Sequence, residues 1–238
     1  MKMKSTGWIS RHALVATLLS LVFLVAPLRA GEKYIEPEQV DGIALLAPPP
    51  TPGSAEQTAD LASARAVFKG RSPEEQARAE KDASLSIFNF AGAIGDHFKK
   101  GEYPKLEKLM ETVKTNISQV INTPKEHWKR SRPYANDPEL ALGKPEASFS
   151  YPSGHSTRGT MQSLILAEVF PERRAAILDF GRTIGWDRVI IGKHYPTDVN
   201  AGRVLGQAIF RELMKSPAFQ RDLAAAKAEV QALHAESK

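Results

Sequence analysis

Between Ser150 and Asp198 the chain reads SYPSGHSTRGTMQSLILAEVFPERRAAILDFGRTIGWDRVIIGKHYPTD, and this stretch decides the fold. Pro152, Ser153 and Gly154 interrupt the chain and a helical pattern follows at once. Ser153 therefore reads as the cap of a helix covering Ser156 to Phe170. Pro171 stands where that helix must stop, and a second one is expected from Arg173 to about Ile191. Runs alternating with the period of two that a half-buried strand needs are scarce, and Val189-Ile190-Ile191 is too short to argue one. The expectation is an all-α fold.

The pattern extends in both directions. Downstream, Val199 to Met214 carries Val204, Leu205, Ala208 and Ile209, and Pro217 opens a last, alanine-rich helix that reads as exposed. Upstream, Leu106, Leu109, Met110, Val113, Ile117, Val120 and Ile121 recur at three and four, an amphipathic helix. Ser72-Pro73-Glu74-Glu75 is a start signal, with serine as cap, proline first and glutamate three residues after the cap. The helix it opens is expected to reach about Phe98, before glycine and proline at 101–104. Another spans Glu56 to Phe68 and stops at Gly70. Pro48-Pro49-Pro50-Thr51-Pro52-Gly53 cannot keep a helix ladder, so residues 31–58 read as an irregular leader lying extended over the domain. Residues 59–238 are then one compact domain, a bundle of seven to nine helices, with no repeat of fixed period.

Residues 1–30 read as a secretory signal peptide. Lys2, Lys4 and Arg11 precede the run ALVATLLSLVFLVA, Ala13 to Ala26, and small Ala30 marks a cleavage point. The run is shorter than the roughly 20 residues that span a bilayer, and none later reaches that length. The expected location is the periplasm or the medium, with no membrane attachment after cleavage. The leader also explains the basic pI of about 9.3. Without its four cations, 28 basic side chains face 27 acidic ones, which gives no support for a nucleic-acid polymer as partner. The chain has no cysteine, so a disulfide scaffold, a thiol nucleophile and a cysteine-held zinc are excluded. Its histidines beyond the leader are 97, 127, 155, 194 and 234, with no pair spaced as metal ligands. No metal and no cofactor is expected.

Three clusters carry chemistry. In Lys125-Glu126-His127-Trp128-Lys129-Arg130-Ser131-Arg132-Pro133, Lys125 and Arg132 are seven apart, about 10.5 Å along one helical face that Pro133 would end. A lysine point charge beside a planar arginine fork suits a phosphoryl group. Taken alone, a basic helical end reads as a solvated surface, and with Lys129 and Arg130 alongside a nucleic-acid patch is the next reading. In Ser150-Tyr151-Pro152-Ser153-Gly154-His155-Ser156, the capped helix start is an anion site that Gly154 lets a ligand approach, with His155 beside it to donate a proton. A capped helix with an incidental histidine is the plain alternative. In Arg188-Val189-Ile190-Ile191-Gly192-Lys193-His194-Tyr195-Pro196-Thr197-Asp198, Arg188 adds a cation. Asp198, four residues after His194, can orient one ring nitrogen and leave the other to attack.

Lys125-x6-Arg132-Pro133, Pro152-Ser153-Gly154-His155 and Arg188-x5-His194-x3-Asp198 together resemble the three-part signature of the type 2 phosphatidic acid phosphatase (PAP2) superfamily. Within it, the chain over roughly residues 45–230 is similar to the bacterial class A non-specific acid phosphatases, although those carry cysteines. The resemblance implies the helical fold shared with vanadium haloperoxidases. It implies His194 as nucleophile forming a phosphohistidine, Asp198 as its orienting partner and His155 as general acid. Lys125, Arg132, Arg188, Ser153 and Gly154 would hold the phosphate. One position departs: Asp187 stands where the family has serine, and it is expected to face away or to pair with Arg188.

These roles imply a secreted, metal-independent acid phosphatase of broad range, acting on small phosphate monoesters, nucleotides included. Phosphate and vanadate would inhibit it, and an alcohol in place of water would give phosphotransfer. The alternatives are a lipid or isoprenoid phosphate phosphatase, a vanadate haloperoxidase, and a periplasmic module that binds phosphate without turnover. The sequence leaves assembly into a homo-oligomer open.

Overall fold

A computed structural model describes residues 33–236, and no strand occurs among them. The expected signal peptide lies outside the described residues. The longer helices are α1 (Ala55–Gly70), α2 (Pro73–Lys81), α3 (Pro104–Asn116), α4 (Ser118–Trp128), α5 (Gly154–Val169), α6 (Arg174–Ile190), α7 (Pro196–Leu213) and α8 (Pro217–Glu236). Single helical turns stand between several of them. The fold is all-helical, as expected.

Helices α5, α6 and α7 pack on one another at the centre. Their seam is made of small residues. A Cβ on Gly181 would lie 2.5 Å from the Ser163 side chain, and one on Gly202 would lie 2.6 Å from the Ser153 carbonyl oxygen. Only glycine lets the backbones approach this closely, and the approach sets the start of α5 against the start of α7. Around this centre, α8 packs on α3, α2 packs on α6, and α1 packs on α6 and α7.

Four readings of the sequence are corrected. The helix opened by Ser72 has the capping box, Glu75 N–H to Ser72 Oγ at 3.2 Å and Ser72 N–H to Glu75 Oε2 at 2.9 Å, but it ends at Lys81. Asp82 instead receives the Asn89 side-chain amide at 2.7 Å, and Ser86 caps a fresh turn, Ile87–Phe90. The amphipathic helix is interrupted at Ile117, beside Asn116, whose side chain accepts the Tyr34 N–H at 2.6 Å. The last helix is not exposed: Phe219, Leu223, Ala226 and Val230 lie in the core, and the Phe219 ring meets Tyr34 edge-on. Finally, the leader is not irregular throughout, since Pro37–Gln39 and Gly42–Leu45 are helical turns and α1 begins at Ala55 behind the Ser54 cap.

Candidate active site

The three clusters meet at the starts of α5 and α7. Helix α4 ends at Trp128, where Lys129 takes the left-handed conformation (φ 46°) and turns the chain. Lys125 and Arg132 therefore do not share a helical face. Arg132 precedes a new turn, Pro133–Asn136, so Pro133 opens a helix and ends none. Arg132 still reaches the site, because its backbone runs extended into the interior. At the far end of α6, the Lys193 and His194 N–H groups both bond the Arg188 carbonyl, at 2.8 and 3.1 Å. Gly192 makes the turn at φ 68°. This tight reversal brings Arg188 and His194, six residues apart, into one pocket.

His194 and Asp198 are buried and paired, Nδ1 to Oδ2 at 3.1 Å. The opposite nitrogen decides the tautomer. Arg132 Nη1 lies 3.0 Å from His194 Nε2. A guanidinium can only donate, so Nε2 carries the lone pair and Nδ1 carries the proton given to Asp198. Burial, then Arg132, Lys125 and Arg188, hold His194 well below its ordinary range, so the ring is neutral. Asp198 also accepts the Tyr195 N–H at 3.0 Å, the Ser150 hydroxyl, and Arg130 Nη1 at 2.6 Å.

The cations surround this nitrogen. Lys125 Nζ donates to the Phe149 carbonyl at 2.6 Å, and burial followed by the nearby Arg132 pushes its pKa down to about 7. Arg132 donates to the Ser148 carbonyl at 3.0 Å and to the Lys193 carbonyl at 2.9 Å. Arg188 is paired with Glu146, while its Nε and Nη1 are buried with no partner among the described residues. At the start of α5, Ser153 Oγ accepts the Ser156 N–H at 3.3 Å. Its own N–H donates to the Asp198 carbonyl, which ties the second cluster to the third. The amides of Gly154 and His155 have no acceptor among the described residues. Unsatisfied donors from an arginine and a helix start, near an imidazole nitrogen that carries a lone pair, are an arrangement that can accept a tetrahedral oxyanion.

His155, half-buried, contacts the Ala83 carbonyl through Nε2 at 3.1 Å. Burial, then Arg188, lowers its pKa to about 4. The phosphate-free pocket therefore holds two neutral histidines, whereas the unfolded chain protonates them near the ordinary 6.5. Their contribution to stability is complete above pH 6.5 and is lost as the pH falls below it. For fully buried His194 the loss reaches about 1.4 kcal/mol per pH unit. Melting temperatures of the phosphate-free protein should fall from pH 7 to pH 5. Saturating phosphate should reduce the fall, since an anion favours protonated His155. A flat profile would contradict neutral buried histidines.

Asp187 turns to helix α2. It is fully buried and paired with Arg78 of α2 at 2.8 Å rather than with Arg188. Burial raises its pKa against the opposing pull of Arg78. Three contributors were not picked out as site residues: Glu146, Ser150 and Arg130. Glu146 lies in a stretch without periodicity and has no signal, whereas Ser150 heads the second cluster but carries no role there because its partner Asp198 is 48 residues away. Arg130 was visible but was read with Lys129 as surface charge. It is buried, and it bridges Asp198 and Asp60, the latter at 2.7 Å. Among the described residues no group of three or more histidine or acidic side chains could hold a metal ion.

The PAP2 superfamily pattern matches residues 112–222. A non-specific acid phosphatase of Providencia stuartii is 32% identical over 207 residues, 82% of this chain and 84% of its own. The chain belongs to the PAP2 superfamily. An acid phosphatase of Zymomonas mobilis subsp. mobilis is 31% identical over 200 residues, 80% of this chain and 76% of its own. A lipid A 1-phosphatase of Rhizobium etli is 42% identical over a shorter stretch of 57 residues, 24% of this chain and 25% of its own. All three signature clusters fall within the PAP2 match, and the fold brings them to one pocket.

Proposed function

We propose that this PAP2-superfamily phosphatase hydrolyses phosphate monoesters without a metal, through a phosphohistidine on His194. The observation that carries the reading is the lone pair of His194 Nε2 set among Arg132, Lys125, Arg188 and the free amides of α5. A phosphate dianion displaces Arg132 from Nε2 and takes its donors. His194 attacks in line, the P–O bond to the leaving alcohol breaks, and protonated His155 supplies the alcohol's proton. The arriving dianion is what lifts His155 from its low value and loads that proton. Neutral His155 then activates water, which cleaves the P–N bond. An alcohol in place of water gives phosphotransfer.

The acid-phosphatase relatives, similar over most of the chain, support small soluble esters such as nucleotides. The lipid-phosphate alternative has support of its own in the local match to lipid A 1-phosphatase. The two readings share the site and the reaction and differ in the alcohol. No helix among the described residues is long and apolar enough to cross a membrane. We place the protein outside the cytoplasm, starting near Gly31 after loss of residues 1–30.

The test is a panel run on protein from the extracytoplasmic fraction, its amino terminus read by intact mass. p-Nitrophenyl phosphate, AMP, glycerol 3-phosphate and a micellar lipid phosphate are assayed from pH 4 to 8, with and without EDTA. Hydrolysis unaffected by EDTA and inhibited by vanadate is expected. Loss of activity in EDTA, restored by zinc or magnesium, would overturn the mechanism. A preference for the lipid would select the alternative, and binding of phosphate with no turnover would make the site a receptor.

A further inference from the structure

Arg158 lies one turn beyond His155 on α5, the spacing that puts the two on one face. Helical side chains lean towards the amino terminus, and Arg158 does so. Its Nη1 lies 3.4 Å from where a Cβ on Gly154 would stand, and Lys125 Cε lies 3.8 Å from the same point. The guanidinium thus lies beside Gly154 at the start of α5, on the side of Lys125. The other arginines of the site hold protein partners: Arg130 with Asp60 and Asp198, Arg132 with two carbonyls, and Arg188 with Glu146 through Nη2, its Nε and Nη1 remaining for the transferred phosphate. Arg158 is half-buried, yet it has no hydrogen bond or ion pair among the described residues. Burial alone shifts its pKa, downwards, with no carboxylate opposing it. A partly exposed guanidinium with no protein acceptor keeps its donors on the solvent side, where an anionic group of a bound ligand can take them in place of water.

The side of the phosphate it serves follows from its neighbours. Arg158 acts on Lys125 and on His155. The charges acting most on His194 are Arg132, Lys125 and Arg188. In an in-line displacement the nucleophile and the leaving oxygen stand at opposite ends of the transferred phosphorus, and His155 marks the leaving end. We propose that Arg158 binds a negative charge carried by the leaving group, which makes it a specificity-determining residue for anionic leaving groups such as a second phosphate or a carboxylate. The inference rests on the reaction assigned above. His194 forms the P–N bond, the bridging P–O bond breaks, and the leaving oxygen takes the His155 proton. The departing molecule, a nucleoside monophosphate or a hydroxy acid, keeps the charge that Arg158 neutralises.

Two matched pairs test this: ADP against AMP, and 3-phosphoglycerate against glycerol 3-phosphate. The first member of each has a charged leaving group and the second a neutral one. In Arg158→Gln the ratio of kcat/KM within each pair should fall at least about tenfold, the size of one lost hydrogen bond to a charged group, and Arg158→Lys should restore part of it. An unchanged ratio overturns the proposal, whether both members lose equally or neither loses. Calorimetric titration with methylenediphosphonate and with inorganic phosphate reads the same selectivity without turnover. If the unsubstituted protein hydrolyses nothing while the variant still loses this binding ratio, the phosphatase mechanism fails and the anion subsite stands.

Discussion

His194→Ala should abolish turnover of every substrate, whereas His155→Ala should cost an amount that depends on the leaving group. The first removes Nε2, the atom whose lone pair faces Arg132, so no phosphoenzyme can form. The second keeps the nucleophile and removes the proton donor. AMP and glycerol 3-phosphate release poor alkoxide leaving groups and should lose about 10²–10⁴-fold, the usual worth of a general acid. p-Nitrophenolate departs without help, so p-nitrophenyl phosphate should lose much less. Acid-quenched trapping with labelled substrate separates the roles, because His155→Ala still forms phosphohistidine and His194→Ala forms none. The opposite pattern would mean that nucleophile and acid are exchanged.

Asp198→Asn should fold and bind phosphate yet lose about 10⁴-fold in kcat, the size found when an orienting carboxylate is made an amide. The carboxylate accepts from His194 Nδ1, Tyr195 N–H, Ser150 and Arg130. An asparagine that turns its amide towards His194 forces the proton onto Nε2, where it meets the Arg132 donor and blocks attack. The inhibition constant of phosphate should change far less than kcat, and a parallel loss of both would place Asp198 in binding. Arg130→Met addresses the same carboxylate from behind. It leaves Asp198 and Asp60 without their shared cation, so a stability loss of about 3–5 kcal/mol is expected. Chemical denaturation measures it, and a loss below about 1 kcal/mol would show that the bridge is dispensable.

Features whose causes lie within a few residues are legible along the chain. The Ser72 box, the Ser153 cap and Pro171 act through hydrogen bonds and ring constraints inside one turn. They put the start of α2 and both ends of α5 where the pattern predicted. The His194–Asp198 pair belongs to the same class, because four residues across the start of α7 suffice to build it. The breaks at Asp82 and Ile117 were missed because apolar spacing runs through them. What stops the helix at Lys81 is a choice by Asp82 and Ser86 of other partners.

The partners of the buried arginines and of Asp187 follow from how the helices pack and not from spacing along the chain. Arg130, Arg132 and Lys129 look alike in the chain, but one turn at Lys129 sends Arg130 and Arg132 inwards and leaves Lys129 in solvent. Asp187 could have met Arg188 beside it, yet it meets Arg78 more than a hundred residues away, leaving Arg188 to Glu146. Charge attracts without a preferred sequence distance. The partner is chosen by which helices the glycine seam of α5, α6 and α7 allows to touch, and that closeness exists only once the chain has folded.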